Sequence, residues 1–142
     1  MAYTAGAGNP SMPIPVEPAV LSTYVHHDNT EILIDVPWKN CRLTHCYFSV
    51  LEPNSVTSAG GAIDVELNAA SGGDLYKVTI AASQASGSQV DGVLDATSGA
   101  ANRKNLDRDD ANRDKVNLEI TIGSSDGWDG MLYMYFEPEP QV

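Results

Sequence analysis

Apolar and polar side chains alternate with a period of two along most of this chain, and this alternation constrains its fold more than any other feature. The pattern is clearest over residues 115–122, where every second side chain is branched and apolar: Val116, Leu118, Ile120 and Ile122. Successive side chains of a strand point to opposite faces of its sheet, so this segment is predicted to be a strand with one buried face.

The same period recurs in further segments that are separated by turn-forming residues. Glycine, proline, asparagine and aspartate fall between the runs and favour turns, as in Ser71-Gly72-Gly73-Asp74. Several short strands joined by such turns indicate an all-β fold, either an antiparallel β-sandwich or a jelly-roll-like barrel. The predicted strands are residues 32–36, 42–51, 63–67, 76–80, 116–122 and 132–136, a weaker one over 20–26 and a short one near 89–95.

Residues 1–18 are predicted to be an extended N-terminal arm, because proline removes backbone donors and favours polyproline-like backbone. In a fully extended arm Met12, Ile14 and Val16 would share one apolar edge, so we expect this edge to contact a partner. Residues 19–142 have the size of one domain and are predicted to form a single β-sandwich domain. A long polar insertion is expected at about residues 81–114, with a short helical or looped piece near residues 100–112.

The chain is strongly acidic, with 19 Asp and Glu residues against 8 Lys and Arg residues and a formal net charge of −11. An acidic surface repels phosphate, so direct binding to nucleic acid is not expected. The apolar runs are far shorter than the roughly 20 residues that span a bilayer, so no membrane partner is expected either.

The two cysteines, Cys41 and Cys46, are separated by an odd number of positions. On one regular strand they would lie on opposite faces and could not bridge each other, which favours synthesis in a reducing compartment such as a bacterial cytoplasm. The run from Cys46 to Leu51 is apolar on both sides, which predicts a central strand buried on both faces.

The sequence offers no strong catalytic, cofactor or metal motif, so we expect a protein that is not an enzyme and that needs no cofactor or metal. It contains neither a Gly-x-Ser-x-Gly nucleophile turn nor a glycine-rich phosphate loop. The Asp-rich run 107–114 departs from a calcium-binding loop at its fifth position, Ala111, and at its twelfth, Leu118. The adjacent His26 and His27 would point to opposite faces of a strand and could not easily share one metal ion.

Aromatic residues are the better candidates for function. Trp38 and Trp128 lie in predicted turns, and Tyr133 and Tyr135 lie on the face of the last strand opposite its apolar residues. Tyrosine and tryptophan often anchor protein interfaces, and exposed aromatic patches mark binding surfaces. The predicted partner-binding residues are Met12, Ile14, Val16, Trp38, Trp128, Tyr133 and Tyr135.

In its overall organisation the chain resembles the small head-decoration, or cement, proteins of tailed bacteriophages. The resemblance lies in the Met1-Ala2-Tyr3 start with its Gly/Pro arm, the all-β body, the acidic balance, the Ala/Ser/Gly-rich middle and the segment from Gly130 to Pro138. It implies a trimer at the outer capsid surface that clamps neighbouring subunits of the major capsid protein and stabilises the shell. It also implies synthesis in the host bacterial cytoplasm.

Two alternatives to a capsid decoration protein remain open at this stage. The chain could be another phage structural component of the tail, fibre or collar. It could also be a carbohydrate-binding β-sandwich module, which would need Trp38 or Trp128 exposed beside polar groups.

Overall fold

A computed structural model of the chain describes residues 19–26, 28–52, 60–67, 73–81, 84–96, 106–122 and 128–138. Within these ranges the protein is all β, and no helix has the length and apolar character needed to cross a membrane. The strands are β1 (Ala19–His26), β2 (Glu31–Asp35), β3 (Cys41–Glu52), β4 (Gly61–Leu67), β5 (Asp74–Ile80), β6 (Gln89–Asp91), β7 (Val93–Leu94), β8 (Lys115–Ile122) and β9 (Asp129–Pro138).

The strands form two antiparallel sheets that pack as a β-sandwich, as the alternation predicts. Sheet A has the order β1-β9-β3-β6, and sheet B has the order β2-β8-β4-β5-β7. The last strand, β9, therefore lies between β1 and β3 and is paired with two strands from the first half of the chain. The predicted arm, residues 1–18, lies outside the described residues, and its separation from a single domain stays a prediction.

The hydrophobic core lies between the inner faces of the two sheets. Ile63 and Val65 of β4 and Leu118 of β8 contribute to it from sheet B, and Phe48 and Leu132 contribute from sheet A. All five side chains are 0% exposed. Their alternation with polar residues places the apolar half of each strand in this core, where burial is worth roughly 25 cal/mol per Å² of apolar surface.

A β-bulge at Thr44 interrupts the pairing of β3 with β9. The extra residue shifts the side-chain alternation by one position, so Cys41 before the bulge and Cys46 after it both point into the core. The prediction that these cysteines lie on opposite faces is therefore wrong, because it assumed an unbroken strand. The prediction that they do not bridge each other is confirmed, since no disulfide joins them.

The predicted strand near residues 89–95 is two short strands in different sheets. β6 pairs with β3 in sheet A, and β7 pairs with β5 in sheet B. Gly92 lies at the crossing, where its N–H donates to the carbonyl oxygen of Cys46 at 2.9 Å. A Cβ atom at Gly92 would lie 2.3 Å from the Cys46 Sγ atom, so glycine is required for this close approach. A period-two pattern cannot show such a change of sheet.

Residues 106–114, which include the Asp-rich run, form a loop that is hydrogen bonded to the start of β3. The backbone N–H of Leu106 donates to the carbonyl oxygen of Cys41 at 2.9 Å, and the N–H of Cys41 donates back at 2.8 Å. On the outside of the loop the Asp109 carboxylate lies 2.7 Å from the Lys39 ammonium group. The loop is thus attached to the turn between β2 and β3 by both backbone and charged contacts.

Candidate functional site

The outer face of sheet B is acidic. Side chains at its surface-facing positions form what we call the acidic face: Glu31, Asp35, Asp64, Glu66, Asp74, Lys77, Lys115 and Glu119. Lys115 pairs with Asp35, and Lys77 lies 3.4 Å from Asp64. Glu119 is opposite both Glu31 and Asp64 across the strands, so like charges face each other at the centre of this surface.

Glu66 shows the electrostatic consequence of this crowding. Partial burial raises the pKa of Glu66, and the nearby charge of Glu119 raises this pKa further. The Asn117 side chain donates a hydrogen bond to Glu66 at 3.2 Å, which acts in the opposite direction. At Glu66, therefore, burial and the neighbouring charge both disfavour the ionised carboxylate.

The outer face of sheet A is aromatic. We call the tyrosine face the cluster of His45 and Tyr47 on β3 with Tyr133 and Tyr135 on β9. Tyr47 is directly opposite Tyr133, and His45 is directly opposite Tyr135. All four side chains are partly exposed, and they point away from the core because their neighbours along each strand point into it.

The rings of the tyrosine face pack against one another. The Tyr47 and Tyr133 rings are stacked, with centroids 4.9 Å apart and an interplanar angle of 20°. The Tyr135 ring lies 6.1 Å from Tyr47 and 5.8 Å from His45. A hydrogen bond with Tyr135 raises the pKa of the Tyr47 hydroxyl, and burial adds to this shift. Mutual packing of this kind holds the rings in place before a partner arrives, which lowers the entropy cost of binding.

The surroundings of the tyrosine face are mixed. On the neighbouring strand β1, Val20 and Tyr24 are 49% and 48% exposed and extend the apolar surface. At the margin His45 lies 3.7 Å from Asp91, and Arg42 lies 3.2 Å from Glu137. An aromatic centre with charged groups at its edge is the usual composition of a protein–protein interface.

The outer face of β3 corrects one expectation. The segment from Cys46 to Leu51 was predicted to be buried on both faces, but only its inner face is. Tyr47 and Ser49 are partly exposed, and Leu51 is 52% exposed. The prediction was wrong because tyrosine and leucine were counted as core residues, whereas no layer among the described residues covers the outside of sheet A.

Trp128 is a core residue, which corrects its assignment as a partner-binding residue. Its side chain is 1% exposed and makes an edge-to-face contact with Phe48, with centroids 5.4 Å apart. Trp128 directly precedes β9 and lies beside Gly61, where an added Cβ atom would come within 3.0 Å of the indole nitrogen. The glycines next to Trp128 in the sequence suggested an exposed turn. In the structure, Gly61 lies close to the indole ring and leaves room for it, because glycine has no side chain.

The other predicted partner-binding residues have different outcomes. Trp38 lies in the turn between β2 and β3, is partly buried and packs against the core. Its carbonyl oxygen accepts a hydrogen bond from the Cys41 thiol at 3.3 Å, so this residue also has a local structural role. Tyr133 and Tyr135 lie on the predicted face, opposite the buried residues of β9. Met12, Ile14 and Val16 lie outside the described residues.

Sequence reasoning missed His45 and Tyr47 as members of this surface. The available signal was that Tyr47 alternates with the apolar residues Cys46 and Phe48, in the same way that Tyr133 alternates with Leu132 and Met134. Tyr47 becomes a neighbour of Tyr133 and Tyr135 only through the pairing of β3 with β9, and these two strands are about ninety positions apart in the sequence. His45 joins them only because the bulge at Thr44 turns it outward.

The buried thiols are poorly suited to chemistry. Burial raises the pKa of the Cys46 thiol to about 12, and the charge of Asp91 acts in the same direction. A thiol is nucleophilic only when ionised, so Cys46 is held in its unreactive form. Within the described part of the chain, no three His, Cys, Asp or Glu side chains are grouped so that they could hold a metal ion.

Comparison with known proteins gives no match: no protein family, curated protein or solved structure aligns significantly with this chain.

Proposed function

We propose that this chain is a non-enzymatic structural protein that binds other protein surfaces through the tyrosine face. We further propose that it acts on the outer surface of a tailed-phage capsid, as a trimer that clamps neighbouring capsid subunits and stabilises the shell. The observation that carries the first part is the preorganised cluster of Tyr47, Tyr133 and Tyr135 on the outside of sheet A. The second part rests on the resemblance of the sequence to capsid decoration proteins.

The ring geometry favours a protein partner over a carbohydrate. Sugars bind aromatic side chains by stacking on a free ring face, whereas Tyr47 and Tyr133 stack on each other. Trp128, one of the two tryptophans either of which could serve a sugar site, is buried. Tyrosines with an apolar centre and a charged margin are typical of the regions that dominate binding energy between proteins.

Binding to an assembled shell gives a physical route to stabilisation. A ligand that binds only the assembled, expanded lattice shifts the equilibrium toward that lattice by mass action. A trimer multiplies the effect, because the second and third contacts form at a high effective concentration once the first is made. The acidic face and the tyrosine face lie on opposite sides of the sandwich. The negative charge of the acidic face would repel an acidic partner surface, so docking of such a partner through sheet B is disfavoured.

Co-sedimentation with capsids tests the proposal. Purified protein is mixed with expanded heads of the encoding phage that lack this protein, and bound protein is quantified after centrifugation. The proposal expects saturable binding that is at least tenfold weaker for Tyr133→Ser. Leu33→Ser is the matched control, because Leu33 is 49% exposed on β2 in the other sheet; this variant should bind like the wild type.

Two results would contradict the proposal. Absence of binding to heads at high protein concentration excludes the capsid surface as the site of action. Equal loss of binding in Leu33→Ser and Tyr133→Ser excludes the tyrosine face as the contact surface. A glycan array probed with the wild-type protein distinguishes the carbohydrate-binding alternative, for which strong and selective binding to one sugar class is expected.

A further inference from the structure

We propose that the tyrosine face of one copy binds the proline-rich segment 10–18 of a second copy, with that segment in polyproline II conformation. The inference rests on the proposed role of the tyrosine face as a protein-binding surface and assigns that face one occupant, the second copy. Tyr133→Ser would then weaken capsid binding by removing the trimer and its multiple contacts.

The sequence of segment 10–18 fits such a surface. A polyproline II helix has about three residues per turn, so residues three apart share one side. One side of the segment carries Pro10, Pro13 and Val16, and the adjacent side carries Met12, Pro15 and Pro18. The third side carries Ser11, Ile14 and Glu17, which include the two polar residues of the segment.

Two adjacent apolar sides and one mostly polar side make the segment amphipathic in this conformation. Pro-x-x-Pro spacing occurs twice, at Pro10 to Pro13 and at Pro15 to Pro18. Proteins recognise such helices with surfaces lined by aromatic side chains, because the ligand is stiff before binding and loses little entropy. On the tyrosine face the Tyr47 ring packs against the rings of both Tyr133 and Tyr135.

The segment is better suited to this surface than to the edge of the sheet. β1 is the outermost strand of sheet A, and a strand added there would need backbone N–H donors. Four of the nine residues in segment 10–18 are prolines, which have no such donor. Contact through side chains on a sheet face does not depend on those donors.

The point at which the segment joins the fold favours a second copy over its own tyrosine face. The segment joins β1 at Ala19, which pairs with Phe136 one position from Tyr135. To cover its own face it would have to reverse direction immediately before Ala19. Glu17 precedes a proline and is therefore restricted to extended conformations, and Pro18 has a fixed φ. Residues 10–18 contain no glycine or asparagine that would assist a reversal.

The segment is long enough to reach a neighbouring subunit. In polyproline II conformation, nine residues at about 3.1 Å each would reach about 28 Å beyond the start of β1. The contact is head-to-tail, since a segment of one copy meets a face of another. Repetition of such a contact closes a ring when the rotation between copies is a whole fraction of a full turn. A ring of three copies would give the trimer of the proposed function.

Paramagnetic relaxation in mixed oligomers tests the inference with the full chain. Ser11→Cys is labelled with a nitroxide, because position 11 falls on the polar side of the segment and the native thiols, Cys41 and Cys46, are buried. The labelled protein is mixed with ¹⁵N-labelled wild type. Selective broadening of the amide signals of Tyr47, Tyr133 and Tyr135 is expected, with the signal of Leu33 on sheet B unaffected.

Proline substitutions give an independent measurement. Pro13→Gly/Pro15→Gly should weaken self-association at least tenfold by sedimentation equilibrium, while Ser11→Gly should leave it unchanged. These positions precede the described sandwich, so the substitutions are not expected to unfold it, and circular dichroism checks this.

Three results would overturn the inference. The first is that no amide signal of the tyrosine face broadens. The second is that the proline variant self-associates as strongly as the wild type. The third is that the spin label broadens the tyrosine face of its own copy, and that this broadening persists when the labelled copy is diluted with unlabelled protein. Capsid binding with none of the expected broadening rejects only this inference. Broadening without capsid binding rejects only the capsid proposal.

Discussion

The hydroxyl of Tyr76 on β5 donates a hydrogen bond to the carbonyl oxygen of Thr44 on β3, across the sandwich, at 2.9 Å. The Leu43 carbonyl oxygen lies 3.4 Å from the same hydroxyl. Both carbonyls belong to the bulge that turns His45 outward, and Tyr76 is only 6% exposed. One buried phenol of sheet B therefore stabilises the irregularity that shapes the outer face of sheet A.

Removing this hydroxyl should destabilise the protein without creating a large cavity. Tyr76→Phe keeps the ring but leaves the bulge carbonyls without their donor, which should lower the free energy of unfolding by about 1–2 kcal/mol. Urea unfolding followed by fluorescence gives this value. Tyr133→Phe is the control, because this hydroxyl lies on a partly exposed surface, and its effect should stay within about 0.5 kcal/mol. Equal effects of the two substitutions would show that Tyr76 does not support the bulge.

Gly130 should tolerate no side chain. A Cβ atom at this position would lie 2.1 Å from the Ser49 carbonyl oxygen and 2.6 Å from Cζ of Phe48. We expect Gly130→Ala to lower the free energy of unfolding by about 3 kcal/mol, because β9 would have to move away from β3.

Gly87 provides the comparison for this prediction. It has a φ of +79°, and a Cβ atom added there would meet no other atom within 4 Å. Gly87→Ala should therefore cost only about 1–2 kcal/mol of left-handed strain. Thermal and urea unfolding of both variants give the two values. A Gly130→Ala variant as stable as Gly87→Ala would mean that the close approach of β9 to β3 is wrong.

Glu66 should make stability depend on pH in a direction opposite to that of a salt-bridged carboxylate. Its pKa is raised in the folded state, mainly by burial, so folding disfavours the ionised form. Glu66 therefore does not lower the free energy of unfolding at a pH below its unfolded-state pKa. It lowers this free energy progressively as the pH rises through its unfolded-state and folded-state pKa values. Glu66→Gln removes this charge and keeps the oxygen that accepts from Asn117.

The expected result is a higher melting temperature for Glu66→Gln at pH 7 and no difference from the wild type near pH 3. Thermal unfolding of both proteins across this range measures it. Glu31→Gln is a suitable comparison, since Glu31 is exposed at the edge of the same sheet. A Glu66→Gln variant that is less stable than the wild type at pH 7 would contradict the raised pKa.

The Cys46 thiol should be inert while the protein is folded. Because burial raises its pKa to about 12, almost none of it is thiolate at pH 8. Reaction with a disulfide reagent should therefore proceed only at the rate at which the protein opens, and Cys41, also 0% exposed, should behave in the same way. In denaturant two thiols per chain should react rapidly, and rapid reaction of the native protein would show that the core is more open than described.

The positions of most strands were predictable from local pattern. Ile63, Val65 and Leu67 alternate with Asp64 and Glu66, and this segment is β4 of the structure. The pattern is informative because one face of the strand is buried and the other is solvated, and a shift by one residue would exchange the two. The same reasoning placed Tyr133 and Tyr135 on the outer face.

The candidate site was only partly predictable. Tyr47 joins Tyr133 because β3 pairs with β9, and nothing within either segment specifies that pairing. Trp128 was misplaced for a related reason. Its burial depends on Phe48 and on the missing side chain of Gly61, both distant in sequence.

The sequence by itself determined that this protein is all β, which side of each regular strand faces the core, and that its net charge is strongly negative. These properties follow from residue type and spacing, since they depend on the period of the strand and on the charge count. Only the tertiary structure decided which strands are neighbours, that the bulge at Thr44 brings Cys41 and Cys46 to the same face, and that Gly92 carries the chain from one sheet to the other. Those features arise from contacts between distant segments, such as the bond from Tyr76 to Thr44, and such contacts leave no periodic trace in the chain.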